Sequence, residues 1–236
     1  MKIYKLIQGI LLQNKKGYFL LENQDWDVFV NRDDLFYWLQ EVNSKAQPVD
    51  NPETLLKKDL LAPIQSQEVW AAGVTYYRSR TARMEESEAA GGGDFYDRVY
   101  EAERPELFFK ATAGRTVSTG GKVRIRGDSA WNVPEPELTL FITSNARIVG
   151  YTIGNDMSSR SIEGENPLYL PQAKTYDGSA GLGPCIYVPE DPLPRETRIQ
   201  MEVFRDRKNI FENAVSLNQM KRSQEELVDY LFRECS

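Results

Sequence analysis

A mainly β protein of the α+β class is what this sequence predicts, with a rolled sheet or barrel standing behind a small N-terminal α+β unit. Three observations predict it. Short apolar runs of strand length recur along the chain, bounded by Gly, Pro, Asn and Asp. Only two or three segments carry helical periodicity. The 236 residues are 41% hydrophobic, enough for a real core in one large or two modest domains.

Residues 3–22 read as a hairpin, two apolar runs around Asn14-Lys15-Lys16-Gly17. A helix follows, capped by Asn31 or Asp33, with Leu35, Phe36, Trp38, Leu39 and Val42 as its apolar stripe to about Asn43. Residues 44–52 form a turn-rich linker and a short helix at about 53–60 leads to Pro63, which divides an N-terminal domain (1–62) from a catalytic one (63–236). Val69 to Val74 is a short buried strand. After it, residues 76–88 have helical composition, and Arg78, Arg80 and Arg83 taken alone suit a solvated face. The three glycines at 91–93 lack the Lys-Ser/Thr of a phosphate loop and read as a plain flexible loop or as the hinge of a mobile aromatic segment. The strand at 107–111 carries Lys110 as a charge in an apolar run. Residues 112–130 look like hairpin material, and 161–184, polar and glycine-rich around Lys174, have the composition of a site loop. Strands at about 185–189 and 197–205, a turn at 209–213 and a helix over 224–233 capped by Ser223 complete the chain.

Residues 131–160 concentrate the chemistry. Glu135 and Glu137 lie two apart on one predicted strand, so both leave the same face of the pleat. Ser144-Asn145-Ala146 makes a turn, and counting back along the returning strand sets 153–155 opposite 137–135, which brings Asp156 beside the glutamates. A bare Glu-x-Glu is usually a solvent-facing pair. Here two prolines and a third acid change that reading, because three converging carboxylates repel unless a cation, a raised pKa or arginine partners intervene. We expect a cation. The chain has no histidine, and Cys185 and Cys235 are far apart, so zinc is a poor fit; an all-carboxylate set suits Mg²⁺ or Mn²⁺, with Ca²⁺ next.

Composition excludes other classes. A net charge of -6 with no Lys/Arg run makes nucleic acid and anionic membrane poor partners. The N-terminus is neither a signal peptide nor a span, and two separated cysteines agree with a reducing cytoplasm.

Phe109-Lys110, Pro134-Glu-Pro-Glu-Leu138, Gly154-Asn-Asp-Met-Ser-Ser-Arg160 and Lys174-Thr-Tyr-Asp through Pro184 resemble, in order and spacing, the fumarylacetoacetate hydrolase superfamily over about residue 63 onward. The resemblance implies a mixed β-sandwich roll around a flattened barrel, with Mg²⁺ held by Glu135, Glu137 and Asp156. Residues 71–76 and 161–174 look like the 2-keto-3-deoxy-D-arabonate dehydratase branch. Hydrolase members carry a water-activating His and Glu where Ser79 and Ala82 stand here, so hydrolysis loses its dyad.

The dehydratases imply Glu106 and Lys174, with Thr175 nearby, as the acid–base residues and Arg78, Arg80 and Arg83 as substrate contacts. A 2-keto-3-deoxy sugar acid would lose water through a metal-stabilised enolate. A Schiff base on Lys174 would duplicate the activation that the metal supplies. The alternatives are a metal-dependent acylpyruvate or fumarylacetoacetate-type C–C hydrolase, a keto-acid decarboxylase, and a degenerate non-enzymatic metal-binding member. Residues 85–100 are expected to act as a lid. The resemblance also implies a homo-oligomer, a dimer or higher, and a chain cut short, since superfamily members continue beyond the helix matching 224–233 with further strands.

Overall fold

The computed structural model describes residues 1–43, 46–76 and 101–234. Three strands open the chain, β1 (Lys2–Leu6), β2 (Gly9–Asn14) and β3 (Gly17–Glu22). The expected turn at 14–17 is present, and the first apolar run divides once more at Ile7-Gln8. Helices α1 (Trp26–Val30) and α2 (Leu35–Val42) follow.

Neither Asn31 nor Asp33 caps α2. The N-cap is Asp34, without a side-chain cap bond. Asn31 and Asp33 reach instead to the tip of a distant hairpin. Asn31 Oδ1 accepts from the Ser144 N–H at 2.9 Å, and Asp33 accepts from Thr143 Oγ1 at 2.6 Å and Asn145 Nδ2 at 2.9 Å. These hydrogen bonds outweigh the small desolvation of Asp33 and hold its carboxyl below the usual carboxylate range.

The edge strand β4 (Gln47–Pro48) and helix α3 (Pro52–Lys58) complete residues 1–62, and near Pro63 the chain leaves this sheet. Strands β5 (Glu68–Ala72) and β6 (Leu107–Thr112) pair with each other. The predicted helix at 76–88, the glycines at 91–93 and the expected lid at 85–100 fall wholly or almost wholly on residues 77–100, outside the described residues. In 112–130 there is no hairpin: β7 (Thr116–Ser118) runs parallel to β12 (Ala180–Tyr187). Gly/Ser/Thr composition signals turns here but cannot name the strand's partner.

The eight-stranded sheet has the order β4-β3-β2-β1-β12-β10-β9, where β9 is Pro136–Ile142 and β10 is Ile148–Asp156, and β7 joins it off this path by pairing with the first residues of β12. The N-terminal strands thus continue directly into the sheet that bears the acidic hairpin. Ile3, Ile10, Leu12, Ile186 and Val188 pack against Trp26, Phe29, Leu35 and Leu39 of the two helices. Each such side chain, fully buried, contributes roughly 1.5–3 kcal/mol. That is ample to seat two short helices that would not persist alone.

The acidic hairpin has the predicted turn, a three-residue loop in which Ala146 adopts φ 59°. Its register differs from simple counting. Ile148 pairs with Ile142, but Gly150 pairs with Phe141, so Val149 is an extra residue, a β-bulge. Beyond it Gly154 faces Glu137 and Asn155 faces Pro136. Asp156 then exchanges backbone hydrogen bonds with Glu135, at 2.9 and 3.2 Å.

A second hairpin joins β13 (Arg198–Arg205) to β14 (Lys208–Ser216). Residues 209–213 lie within β14 and are not the expected turn. The turn is Asp206-Arg207, both at positive φ, 50° and 63°, a two-residue hairpin loop without the usual glycine. The last helix, Gln224–Phe232, is capped by Ser223, as the sequence predicts. The fold is therefore α+β and mainly β. No sheet closes on itself among the described residues, so the roll is open and flattened.

Candidate metal centre

The bulge sets the site. Cross-strand partners in an antiparallel pair project to the same face. Glu137, Glu135 and Asp156 therefore share one face, and they line a cavity of about 410 Å³. Gly154, opposite Glu137, is where the pleat leaves room: a β-carbon there would lie 2.4 Å from Thr139 Oγ1.

Lys174, the last residue of α5 (Leu170–Lys174), enters the same cavity and is only 3% exposed. Its ammonium donates to Asp156 Oδ2 at 2.9 Å and to Glu135 Oε2, and so bridges two of the three carboxylates. The face of Phe108 lies 5.6 Å from the same ammonium. Ser158 Oγ donates to Glu135 Oε2 at 2.8 Å. Arg160 opens helix α4 (Arg160–Glu165) and donates to Glu135 Oε1 on one side and to the buried Glu163 at 2.7 Å on the other.

Lys110 approaches from β6. Its Nζ stands 2.6 Å from Asp156 Oδ1 and donates to the Met157 carbonyl at 2.9 Å and to the Lys174 carbonyl. Burial lowers the pKa of Lys110, and the neighbouring Asp156 offsets only part of that shift. Although ion-paired at that distance, Asp156 Oδ1 is buried and accepts no aligned hydrogen bond.

Two observations bear on whether a cation fits. The donors are all hard oxygens, and the two buried ammonium groups set against Asp156 and Glu135 show that these carboxylates call for positive charge. Against this, among the described residues no three His, Cys, Asp or Glu side chains are gathered closely enough to hold an ion as they stand. The reason is visible: the Lys174 ammonium occupies the position of positive charge between Glu135 and Asp156. The residues fit a hard divalent cation provided that Lys174 gives way.

The structure thus brings together Glu135, Glu137, Asp156 and Lys174. Glu106 and Thr175 each adjoin a residue that lines the cavity. The Glu106 carboxylate is pressed against Gly73, and Thr175 Oγ1 donates to the Phe109 carbonyl at 3.0 Å. Arg78, Arg80 and Arg83, like Ser79 and Ala82, lie outside the described residues. Sequence reasoning missed Ser158, Arg160 and Glu163 as partners in the site, and gave Lys110 no task. For Lys110 the signal was present, a cation in an otherwise apolar strand. For Glu163 there was none, because a glutamate in a polar loop looks solvated.

The family model described as "Fumarylacetoacetate (FAA) hydrolase C-terminal" matches residues 75–236. A Haloferax volcanii protein named "Probable 2-keto-3-deoxyxylonate dehydratase" is 49% identical over 194 residues, covering 82% of this chain and 65% of the relative. The 2-dehydro-3-deoxy-D-arabinonate dehydratase of Saccharolobus solfataricus is 43% identical over 73% of this chain and 58% of its own length. The matches thus span less than two thirds of either curated relative. A solved 2-keto-3-deoxy-D-arabinonate dehydratase, complexed with magnesium and 2,5-dioxopentanoate, superposes with a TM-score of 0.79 at 32% identity, covering 99% of this chain and 83% of that one.

Proposed function

The chain belongs to the fumarylacetoacetate hydrolase family, and from that premise we propose that it is an Mg²⁺-dependent dehydratase, a hydro-lyase acting on a 2-keto-3-deoxy sugar acid. One observation carries the reading: a lysine ammonium meets two of three carboxylates that share one face of a hairpin, inside a cavity of about 410 Å³. That set supplies both a cation site and a proton-transfer group. Relatives named for this reaction, and the magnesium in one of their structures, support it. The absence of any histidine from the chain weighs against the hydrolase alternative.

Glu135, Glu137 and Asp156 would hold the ion. When bound, Mg²⁺ supplies positive charge that polarises the C2 keto group and makes the C3 hydrogens more acidic. One of Glu106 and Lys174 takes a proton from C3, and the other protonates the C4 hydroxyl as its C–O bond breaks, so the pair removes one water. Later proton shifts turn the product into a 2-keto acid semialdehyde. Thr175, tied to β6 through Phe109, keeps the end of α5 and hence Lys174 in place. Arg78, Arg80 and Arg83 are proposed to contact the substrate carboxylate or hydroxyls. Residues 63–236 form the catalytic domain in this reading, and residues 1–62 brace its hairpin turn through Asn31 and Asp33.

The setting proposed is cytoplasmic and homo-oligomeric. No described helix is long and apolar enough to cross a membrane, and Cys185 is free. A panel of 2-keto acids with products identified by mass tests the reaction: loss of 18 mass units from a 3-deoxy sugar acid is expected, and C–C cleavage products would replace this reading with the hydrolase. Sedimentation measures the oligomer.

The role of Glu106 has its own test. A β-carbon at Gly73 would lie 2.1 Å from Glu106 Oε2, so Gly73→Ala must displace that carboxylate. A misplacement of this kind is expected to lower kcat on the order of 100-fold with Mn²⁺ affinity unchanged. Wild-type kcat in the variant would remove Glu106 from the mechanism.

A further inference from the structure

We infer that Lys110 is a positioning residue of the metal centre, fixing the Asp156 carboxylate and the end of α5 relative to each other and so setting the separation between the ligand carboxylates and Lys174. The inference rests on the cation reading of Glu135, Glu137 and Asp156.

Three partners surround its Nζ, and they come from two separate parts of the chain, 156–157 and 174. Asp156 Oδ1 ends β10, the Met157 carbonyl belongs to the next residue, and the Lys174 carbonyl closes α5. No ladder joins these three points. A five-residue helix leaves its last carbonyls without intrahelical partners, and Lys110 supplies a donor to one of them. The adjacent residue repeats the tie, since the Phe109 carbonyl accepts from Thr175 Oγ1 at 3.0 Å. Strand β6 therefore grips the 174–175 segment twice.

Lys110 differs from Lys174 in where its hydrogen bonds go. Two N–H groups of Lys110 are donated to main-chain carbonyls and its side chain is 2% exposed, so it cannot readily turn to a substrate. The Lys174 ammonium donates to the carboxylates of Glu135 and Asp156. Two effects of Lys110 on the ion oppose each other: orienting Asp156 strengthens binding, and a cation close by weakens it. Partners that orient a ligand are worth about 10–100-fold in metal affinity, and we take the orienting effect to prevail.

The test is Lys110→Met in the full chain, with Mn²⁺ alone as the probe, followed by electron paramagnetic resonance beside a thermal melt. Methionine keeps most of the volume and removes the donors. The expected result is a cooperative melt with Mn²⁺ bound about 10–100-fold more weakly than by the unaltered chain. Equal or tighter binding overturns the inference and leaves the cation reading standing. Failure of the unaltered chain to bind Mn²⁺ overturns the cation reading itself.

If Lys110→Met does not melt cooperatively, the unaltered chain decides through ¹⁵N resonances of its lysine ammonium groups. Lys110 is expected to stay protected from solvent exchange with and without Mg²⁺. Rapid exchange at Lys110, like that of a surface lysine, overturns the inference.

Discussion

Glu135→Gln should abolish metal-dependent turnover and weaken Mn²⁺ binding by at least 100-fold. The glutamate is engaged at both of its oxygens: Arg160 holds one, and Ser158 and Lys174 hold the other. An amide of the same shape loses the charge and turns an NH₂ group toward one of these donors, where two donors face each other. Breaking one side of a buried charge pair typically removes 3–5 kcal/mol. Glu135 is 20% exposed in its side chain, so we expect the lower part of that range or below in stability. The loss in affinity is larger than that from a supporting partner, roughly 10–100-fold, because the ligand itself is removed. Calorimetric titration with Mn²⁺ and turnover in excess Mg²⁺ check both. Wild-type binding, or full activity in excess chelator, would end the carboxylate–metal reading.

Lys174→Ala should separate chemistry from coordination. Turnover falls by 10²–10⁴-fold, the usual worth of a positioned proton-transfer group. Metal affinity holds or rises, because the ammonium that bridges Glu135 and Asp156 no longer competes with the ion. The metal-free variant is less stable than the parent, since neighbouring carboxylates lose a shared counter-charge, and Mg²⁺ should raise its Tm more than it raises the parent's. Melting curves with and without Mg²⁺ beside single-turnover rates measure each part. A variant with the parent's turnover would reduce Lys174 to a structural ion pair.

Much of this site could be read from the residues alone, for physical reasons that differ from one to the next. Glu135 and Glu137 were legible because a strand's period of two is fixed by covalent geometry. The Ser223 cap and the three-residue turn at 144–146 were legible because their chemistry is local. The partners of Lys110 were not, since they arrive from residues 47 and 64 positions away along the chain. The same holds for Asn31 and Asp33. Their composition is that of helix caps, yet hydrogen bonds to a turn more than 100 residues away claim both side chains. The Asp206-Arg207 turn was passed over because positive φ in non-glycine residues leaves little trace in sequence. Sheet order was illegible altogether: β12 lies between β1 and β10, a pairing that local pattern does not encode.

Counting back from the turn gave the right neighbours by a wrong register. Were Val149 paired in the ladder and not bulged out of it, the register at Ile148 and Ile142 would run on unbroken, and Glu137 would face Ile153. Ile153 is 51% exposed, on the side of the sheet away from the glutamates. Asp156 would then point the same wrong way as its alternate neighbours, and the three acids would be split two and one across the sheet. The convergence of this centre is thus a matter of parity. One residue, with no polar atom in its side chain and no place among the ligands, decides by standing outside the ladder whether the paired count between turn and aspartate comes out odd or even. Removing Val149 itself would leave Gly150 opposite Phe141 and the acids together, whereas adding or removing one paired residue between Gly150 and Asp156 would split them.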